Sequence, residues 1–259
     1  MEYGFCNLNL VPVRSGPSEK TEMVSQLLFG EIFEILEKDG KWIQIKMTYD
    51  NYVGWIDMKQ YLPIYADVYE KLNDFPPNIT LDIVQILVNE TENSVMPIVI
   101  GSSIPYLVNN TFYVDKIEYK YDGHISEKNV PDPKKKIVEN SYMYLESPYL
   151  WGGRSPFGID CSGFTQMVYK LSGIKLWRDA EQQSEQGTTI NLISEAEPGD
   201  LVFFDNEEGK IVHAGILLED EKIIHASGKV RIDKLDHEGI FNLSLNRYTH
   251  KLRLIKKII

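Results

Sequence analysis

Cys161 is the residue whose position most suggests reactive chemistry. It follows a glycine-rich stretch over residues 149–160 and precedes a segment with helical periodicity. The apolar residues of that segment are Phe164, Met167, Val168 and Leu171. Asp160 is a residue type that caps helices, so we predict Cys161 in the first helical turn, where N–H groups and the helix dipole favour a thiolate. A small buried cysteine without a chemical role fits the same position equally well.

A nucleophilic cysteine needs a base within hydrogen-bond reach and a group that orients this base. We predict two strands joined by the turn at 219–221, with Leu218 paired with Lys222. In that register His213 and His225 lie on one face, at diagonal positions about 7 Å apart. Two imidazoles on one face, in a chain with a cysteine at a helix start, favour catalysis over two structural histidines.

The elements that must position these residues fall into several sections. Short strands separated by turns over residues 1–64 predict a small β-barrel. Residues 65–79 contain a Pro-Pro pair and are a predicted linker. Residues 80–130 are again rich in β-forming residues, which indicates a second, diverged barrel or an extension of the first. Over 131–259, helices are followed by a run of antiparallel strands, an α+β order.

Composition narrows the possible partners and compartments. The 259 residues include 38 acidic and 27 basic ones, and the resulting net charge of −11 argues against nucleic-acid binding. The sequence shows no metal-ligand spacing and no membrane-spanning run, so we expect no metal, cofactor or membrane association. We also infer no obligate protein partner. With no visible signal peptide, we expect a cytoplasmic protein if Met1 is the native start, and a periplasmic or exported one if a signal was removed.

We predict structural or surface positions, without a chemical role, for the remaining cysteine, the other histidines and the clustered lysines. Cys6 has no histidine motif beside it and is predicted to be a small buried residue. We expect surface roles for His124, His237 and His250, which fall in polar loops or in a terminal strand. The basic run over residues 134–136 is predicted to be solvated on a helix surface.

Five segments together resemble the NlpC/p60 cysteine peptidases of bacterial cell-wall metabolism. They are YLWGG at 149–153, DCSGF at 160–164, PGDLVFF at 198–204, VHAGI at 212–216 and IHAS at 224–227. Four earlier segments resemble a bacterial SH3-like domain: VRSGP at 13–17, LFGE at 28–31, WIQI at 42–45 and YVGWI at 52–56. The resemblance implies an α+β, papain-like catalytic domain over 131–259, with helices packed on an antiparallel sheet, preceded by two small SH3-like β-barrels.

With its SH3-like modules, the chain is similar to γ-D-glutamyl-L-diamino acid endopeptidases. This implies hydrolysis of the γ-D-Glu–diamino acid bond in murein peptides with a free N-terminal L-Ala, in cell-wall recycling. The resemblance makes Cys161 the nucleophile, His213 the general base and His225 the orienting third residue. Two alternatives stay open: an amidase or acyltransferase on the same Cys–His framework, and a wall-peptide-binding protein with an inactive peptidase domain.

The resemblance also implies an oxyanion site and an ammonium pocket. The Cys161 N–H would meet the oxyanion, with the Tyr149 hydroxyl as second donor, although a wall aromatic fits Tyr149 equally well. Asp160 and Ser162 would hold the L-Ala ammonium, and the alternative role of Asp160 is helix capping. From the first barrel, the residues implied to close this pocket are Tyr52 and Glu31, for which a structural role in the barrel fits at least as well.

Overall fold

The computed structural model describes residues 1–126 and 131–259. These two ranges are compact units, which we call the N-terminal unit and the C-terminal unit. No helix in either described range is long and apolar enough to cross a membrane.

The N-terminal unit begins with a seven-stranded antiparallel sheet. Its strands are β1 (Glu2–Phe5), β2 (Leu10–Arg14), β3 (Met23–Leu28), β4 (Ile32–Asp39), β5 (Trp42–Met47), β6 (Val53–Asp57) and β7 (Leu62–Ile64). The spatial order is β3-β2-β6-β5-β4-β1-β7. In β5 the side chains of Ile43, Ile45 and Met47 are buried in alternation, because successive strand residues point to opposite faces. Cys6 is fully buried in the same core, as predicted.

The segment predicted as a linker contains a helix, α1 (Ala66–Asn73), and a two-residue strand at its end. This helix forms because Tyr69 buries its ring and stacks on Tyr3 with ring centroids 4.0 Å apart. The strands that follow are β8 (Asn78–Ile79), β9 (Val84–Asn89), β10 (Ser94–Val99), β11 (Ser103–Ile104), β12 (Thr111–Val114) and β13 (Ile117–Lys120).

These later strands form a four-stranded sheet in the order β10-β9-β13-β12 and a separate β11–β8 pair. Their core is continuous with that of the first sheet, since Phe29 contacts Phe112 and Tyr119 at centroid distances of 6.3 and 5.7 Å. An independent second barrel over 80–130 therefore stays a prediction, and its last positions, 127–130, lie outside the described residues.

The helices of the C-terminal unit follow the predicted order. They are α2 (Pro133–Tyr142), α3 (Cys161–Leu171) and α4 (Ala180–Ser184), with a short 3-10 turn at Ile193–Glu195. Asp132 caps α2 by accepting the Lys135 N–H at 3.1 Å. The prediction of a solvated basic run is wrong for Lys134, whose half-buried ammonium lies 2.7 Å from the exposed Glu197 and 2.7 Å from the buried Asp200.

The strands of the C-terminal unit provide the platform for α3. They are β14 (Arg154–Ser155), β15 (Gly158–Ile159), β16 (Thr188–Ile190), β17 (Leu201–Asp205), β18 (Ile211–Leu218), β19 (Lys222–Ser227), β20 (Lys229–Leu235), β21 (Gly239–Asn242) and β22 (Arg247–Lys257). The main sheet has the order β16-β22-β17-β18-β19-β20-β21, and β21 also pairs with β22. Six of its strands therefore close into a ring, against which α3 packs through β18 and β19.

Candidate active site

The start of α3 is held by Asp160, as the sequence predicted. The Asp160 carboxylate accepts the Gly163 N–H at 2.6 Å, which caps the helix. Its second oxygen accepts the Gly152 N–H at 2.8 Å and so ties the glycine-rich turn to the helix start. Cys161 is the first helical residue and is 7% exposed.

The Cys161 thiol lies against β18. Its sulfur accepts backbone N–H groups from Ala214 and from Ser162. Burial, followed by the neighbouring Asp160 carboxylate, raises the pKa of this thiol to about 12, although those N–H groups and the Arg178 guanidinium lower it. The expectation that the helix start yields a resting thiolate is therefore wrong, because loss of water around the sulfur outweighs the helix dipole.

His213 and His225 meet as the hairpin register predicted. Leu218 pairs with Lys222 and Gly215 with His225, so the two imidazoles share a face of the sheet. His213 Nε2 lies 2.8 Å from His225 Nδ1, and the two side chains are nearly fully buried. A Cβ on Gly215 would lie only 2.9 Å from the His225 Cβ, so a glycine here leaves room for the second ring.

A carboxylate extends this pair of rings. His225 Nε2 lies 3.0 Å from Asp233 Oδ2, and both side chains are buried. We call His213, His225 and Asp233 the imidazole chain. Asp233 was missed by the sequence reasoning because it lies on β20, and only the β19–β20 register brings it beside His225.

The imidazoles of this chain are neutral at rest. Burial holds the pKa of His213 well below its ordinary value, and the nearby His225 and His250 lower it further. Burial also lowers the pKa of His225, against the opposing effect of the Asp233 carboxylate. The thiol contacts β18 at Ala214, the residue after His213. A neutral imidazole on that strand can take the proton of a neutral thiol as the sulfur attacks, which is the requirement for a Cys–His nucleophile.

His250 is half-buried, where a surface position was expected. Its ring stacks on His213, with centroids 4.1 Å apart and planes 24° apart, and burial lowers its pKa to about 4. Pairing of β22 with both β17 and β21 brings it there. The other two surface predictions agree with the structure: His237 is exposed and the His124 side chain is 86% exposed.

Tyr149 lies beside the nucleophile. Burial, then the charges that Cys161 and Asp160 can carry, raise the pKa of its phenol, which therefore stays a hydrogen-bond donor. Tyr149 lines a small cavity of about 270 Å³. The other lining residues are Val212, His213, Ala226, Ser227, Gly228 and His250. The predicted oxyanion role of Tyr149 stays a prediction with compatible geometry.

Asp160 and Ser162 share a buried arginine that was given no role from sequence. Arg178 is 1% exposed, and its Nη1 and Nη2 donate to the two Asp160 oxygens at 3.0 and 2.6 Å. Nη1 also donates to Ser162 Oγ at 2.9 Å. The carboxylate thus caps α3 and neutralises Arg178 at once, and its predicted contact with a substrate ammonium stays a prediction.

The two site residues predicted in the first barrel belong to the N-terminal unit. Glu31 is buried there, and its carboxylate accepts the Leu28 N–H at 3.0 Å. Tyr52 is half-buried and packs against the core of the seven-stranded sheet. Both have structural contacts within the barrel, and their part in a substrate pocket stays a prediction. Within the described residues, no group of three or more His, Cys, Asp or Glu side chains could hold a metal ion.

Sequence comparison matches two families on this chain. Residues 146–248 match the NlpC/P60 family, and residues 13–60 match the bacterial dipeptidyl-peptidase SH3 domain. A γ-D-glutamyl-L-lysine dipeptidyl-peptidase of Bacillus cereus is 28% identical over 226 residues, covering 79% of this chain and 67% of that protein. Dipeptidyl-peptidase 6 of Lysinibacillus sphaericus is 29% identical over 252 residues, covering 86% and 88%.

Solved structures agree on the fold. The crystal structure of an NlpC/P60 family protein from Bacillus cereus superposes with a TM-score of 0.83 at 20% identity, covering 99% of each chain. An NlpC/P60 endopeptidase from Photobacterium damselae gives a TM-score of 0.72 at 17% identity, covering 98% of this chain and 70% of that one. The predicted α+β fold, with an SH3-like domain ahead of a papain-like one, is confirmed.

Proposed function

We propose that this chain, whose residues 146–248 match the NlpC/P60 family, cleaves the γ-D-Glu–diamino acid bond of murein peptides with a free N-terminal L-Ala. The observation that carries this proposal is the contact of the Cys161 sulfur with the N–H of Ala214, the residue next to His213. That contact places the thiol against β18, the strand that bears His213. The name of the Bacillus cereus relative, a γ-D-glutamyl-L-lysine dipeptidyl-peptidase, supports the bond type.

In the proposed reaction, the Cys161 sulfur attacks the γ-carbonyl carbon while its proton passes to His213. The tetrahedral intermediate expels the diamino acid, whose amine takes that proton from His213, and a thioester forms. Water then attacks the thioester and gives its proton to His213. Collapse of the second intermediate returns the proton to the sulfur and releases the L-Ala-γ-D-Glu acid.

Charge that develops on the carbonyl oxygen needs donors that are already in position. The Cys161 backbone N–H is one such donor, since the first N–H groups of a helix have no partner within it. The Tyr149 hydroxyl is the proposed second donor, because its raised pKa keeps its proton in place. Loss of one donor of this kind costs about 10²- to 10³-fold in kcat.

For the free-amine requirement, we propose that the L-Ala ammonium binds near Asp160 and Ser162. Asp160 and Ser162 already share Arg178, which holds both side chains in one orientation. A short peptide with a charged end suits such a pocket better than polymeric wall does, so we propose recycling of released murein peptides as the setting.

The test is cleavage of L-Ala-γ-D-Glu-diaminopimelate, its lysine counterpart and the N-acetylated form of each, followed by mass spectrometry. We expect release of the diamino acid from the free-amine peptides, with at least a 100-fold preference over the acetylated ones. Equal cleavage of both forms would overturn the free-amine requirement. No cleavage of any of them by folded protein would overturn the proposed bond specificity.

A further inference from the structure

The buried carboxylate behind the two imidazoles has no role in the proposed chemistry so far. Asp233 Oδ2 lies 3.0 Å from His225 Nε2, and the Asp233 side chain is 2% exposed. On its other side Arg231 Nη2 donates to Asp233 Oδ1 at 2.9 Å, and Arg231 Nε lies 2.7 Å from Oδ2. Arg231 therefore holds the Asp233 carboxylate in an orientation in which it contacts one imidazole nitrogen, His225 Nε2.

We propose that Asp233 is a positioning residue that selects, through His225, which nitrogen of His213 is free to act as the base. The inference rests on the proposed role of Cys161 and His213. It differs from the general need for an orienting third residue because Asp233 contacts neither the thiol nor His213. It acts by determining the position of two protons, one on each ring.

The first step concerns His225. An ionised carboxylate only accepts hydrogen bonds, so the nitrogen facing Asp233 must bear the hydrogen. Burial acts to raise the pKa of Asp233, but the hydrogen bonds and charges of His225 and Arg231 together outweigh it and lower that pKa, so Asp233 is ionised. Since His225 is neutral, its second nitrogen, Nδ1, is bare and can only accept.

The second step transfers this choice to His213. The bare His225 Nδ1 lies 2.8 Å from His213 Nε2, which must therefore carry a hydrogen and donate it. His213 is neutral as well, so its Nδ1 is left without a proton and is the atom that can take one. Without Asp233, His225 can place its hydrogen on Nδ1, which reverses the bond and puts the His213 proton on the nitrogen needed as base.

The other groups that face the chain do not supply this selection. His250 stacks on the face of His213 and makes its hydrogen bond with Thr249 Oγ1 at 2.9 Å. Arg231 can only donate, and it is bound to Asp233. Among the described contacts of the two rings, Asp233 alone provides a charged acceptor.

The test is nitrogen-15 NMR of histidine-labelled Cys161→Ala protein, which reads the tautomer of each ring without turnover. We expect hydrogen on Nε2 of both His213 and His225. Hydrogen on Nδ1 of either ring would overturn the proposal in this protein alone, before any further substitution is made. Because no substrate is involved, this outcome is distinct from a failure of the proposed peptidase specificity.

Asp233→Leu then tests the cause in the same labelled protein, since leucine has a similar shape but cannot accept a hydrogen bond. We expect Nδ1–H to become detectable on His225 and on His213. In the protein with Cys161 intact, we expect kcat to fall about 10- to 100-fold with KM little changed. Unchanged tautomers in folded Asp233→Leu would overturn the proposal, whatever its kcat.

Rescue by formate distinguishes a positioning role of the Asp233 carboxylate from a role in packing alone. In Asp233→Ala, formate can return a carboxylate to the vacated space, and we expect it to restore most of the lost kcat and the Nε2–H tautomers together. Restoration of neither would count against the proposal. The matched control is Asp236→Asn, a nearby carboxylate that binds Tyr248, for which we expect unchanged tautomers and kcat.

Discussion

The described part of each unit contains a buried cysteine and a histidine–aspartate contact, and the two sets behave differently. In the N-terminal unit, His124 Nδ1 lies 2.8 Å from Asp82 Oδ1, and its side chain is 86% exposed. In the C-terminal unit, His225 Nε2 lies 3.0 Å from Asp233 Oδ2, with 1% exposure. The pKa of His124 is raised by its bond to Asp82, whereas burial lowers the pKa of His225.

The two histidine–aspartate distances are nearly equal, yet the pKa values of the two histidines shift in opposite directions. A carboxylate favours the charged imidazole in both places, but only the buried ring loses the water that would solvate its charge. The exposed site therefore shifts His124 toward its charged form, and the buried site shifts His225 toward its neutral form beside a carboxylate. The lesson is that burial, rather than contact distance, determines whether such a pair can serve as part of a proton-transfer chain.

The largest expected contrast is between the two cysteines. Cys161→Ala removes the nucleophile, so we expect at least about a 10³-fold loss of peptide cleavage with the thermal unfolding temperature nearly unchanged. Cys6→Ala changes a buried residue of the N-terminal core and should lower stability while cleavage continues. Substantial cleavage by Cys161→Ala would contradict the assignment of the nucleophile.

A second contrast is between a buried ion pair of the C-terminal unit and an exposed one of the N-terminal unit. Arg178→Met leaves the buried Asp160 carboxylate without its arginine, so we expect a loss of about 3–5 kcal/mol in the free energy of unfolding. Lys41→Met removes an exposed ammonium that pairs with Glu19 and, at 3.4 Å, with Asp57, and should cause little measurable change. Urea unfolding of the two variants checks this, and equal losses would mean that burial does not separate the pairs.

A third contrast compares the two histidines directly. His225→Phe keeps a ring but removes both hydrogen bonds of the middle residue, and we expect kcat to fall about 10²-fold. His124→Phe should leave kcat unchanged, because its contact with Asp82 is exposed and lies in the other unit. Steady-state kinetics of the two variants on one peptide measure this. A similar loss of kcat in both would contradict the expected difference between the two histidines.

The smallest expected effect is the pH dependence of stability. The folded pKa values of His213, His225 and His250 are lowered, so their contribution is present above pH 6.5 and is lost as pH falls. The pKa of His124 is raised, so its contribution is present below pH 6.5 and is lost as pH rises.

Between pH 7 and pH 5, we therefore expect the C-terminal unit to lose stability while the His124 contribution grows. Hydrogen exchange read separately for each unit measures both trends. The variant His250→Phe should flatten the acid-side loss in the C-terminal unit, and His124→Asn should leave that loss unchanged. Stability of the C-terminal unit that stays constant or rises toward pH 5 would refute the neutral-histidine description.

Much of the candidate site follows from patterns within single segments. The helical spacing after Cys161 and the capping residue Asp160 depend on neighbours along the chain, and the helix begins where they predict. The pairing of His213 with His225 follows from the parity of one hairpin. Such features are short-range, so the sequence alone determined them.

The residues that sequence reasoning missed or misjudged are brought in by non-local pairing. Asp233 reaches His225 through the register of another strand, and His250 reaches His213 because β22 joins β17 to β21. Arg178 reaches Asp160 from a segment beyond α3. Nothing in the local sequence of any of these positions marks the partner.

The sequence by itself thus determined that a cysteine begins a helix and that two histidines share a strand face. Only the tertiary structure decided the charge of these groups. It showed a thiol whose pKa is raised and imidazoles that are neutral, because desolvation depends on every element packed around a group. It also supplied the carboxylate behind the imidazoles, because a sheet register joins residues whose separation along the chain gives no sign of contact.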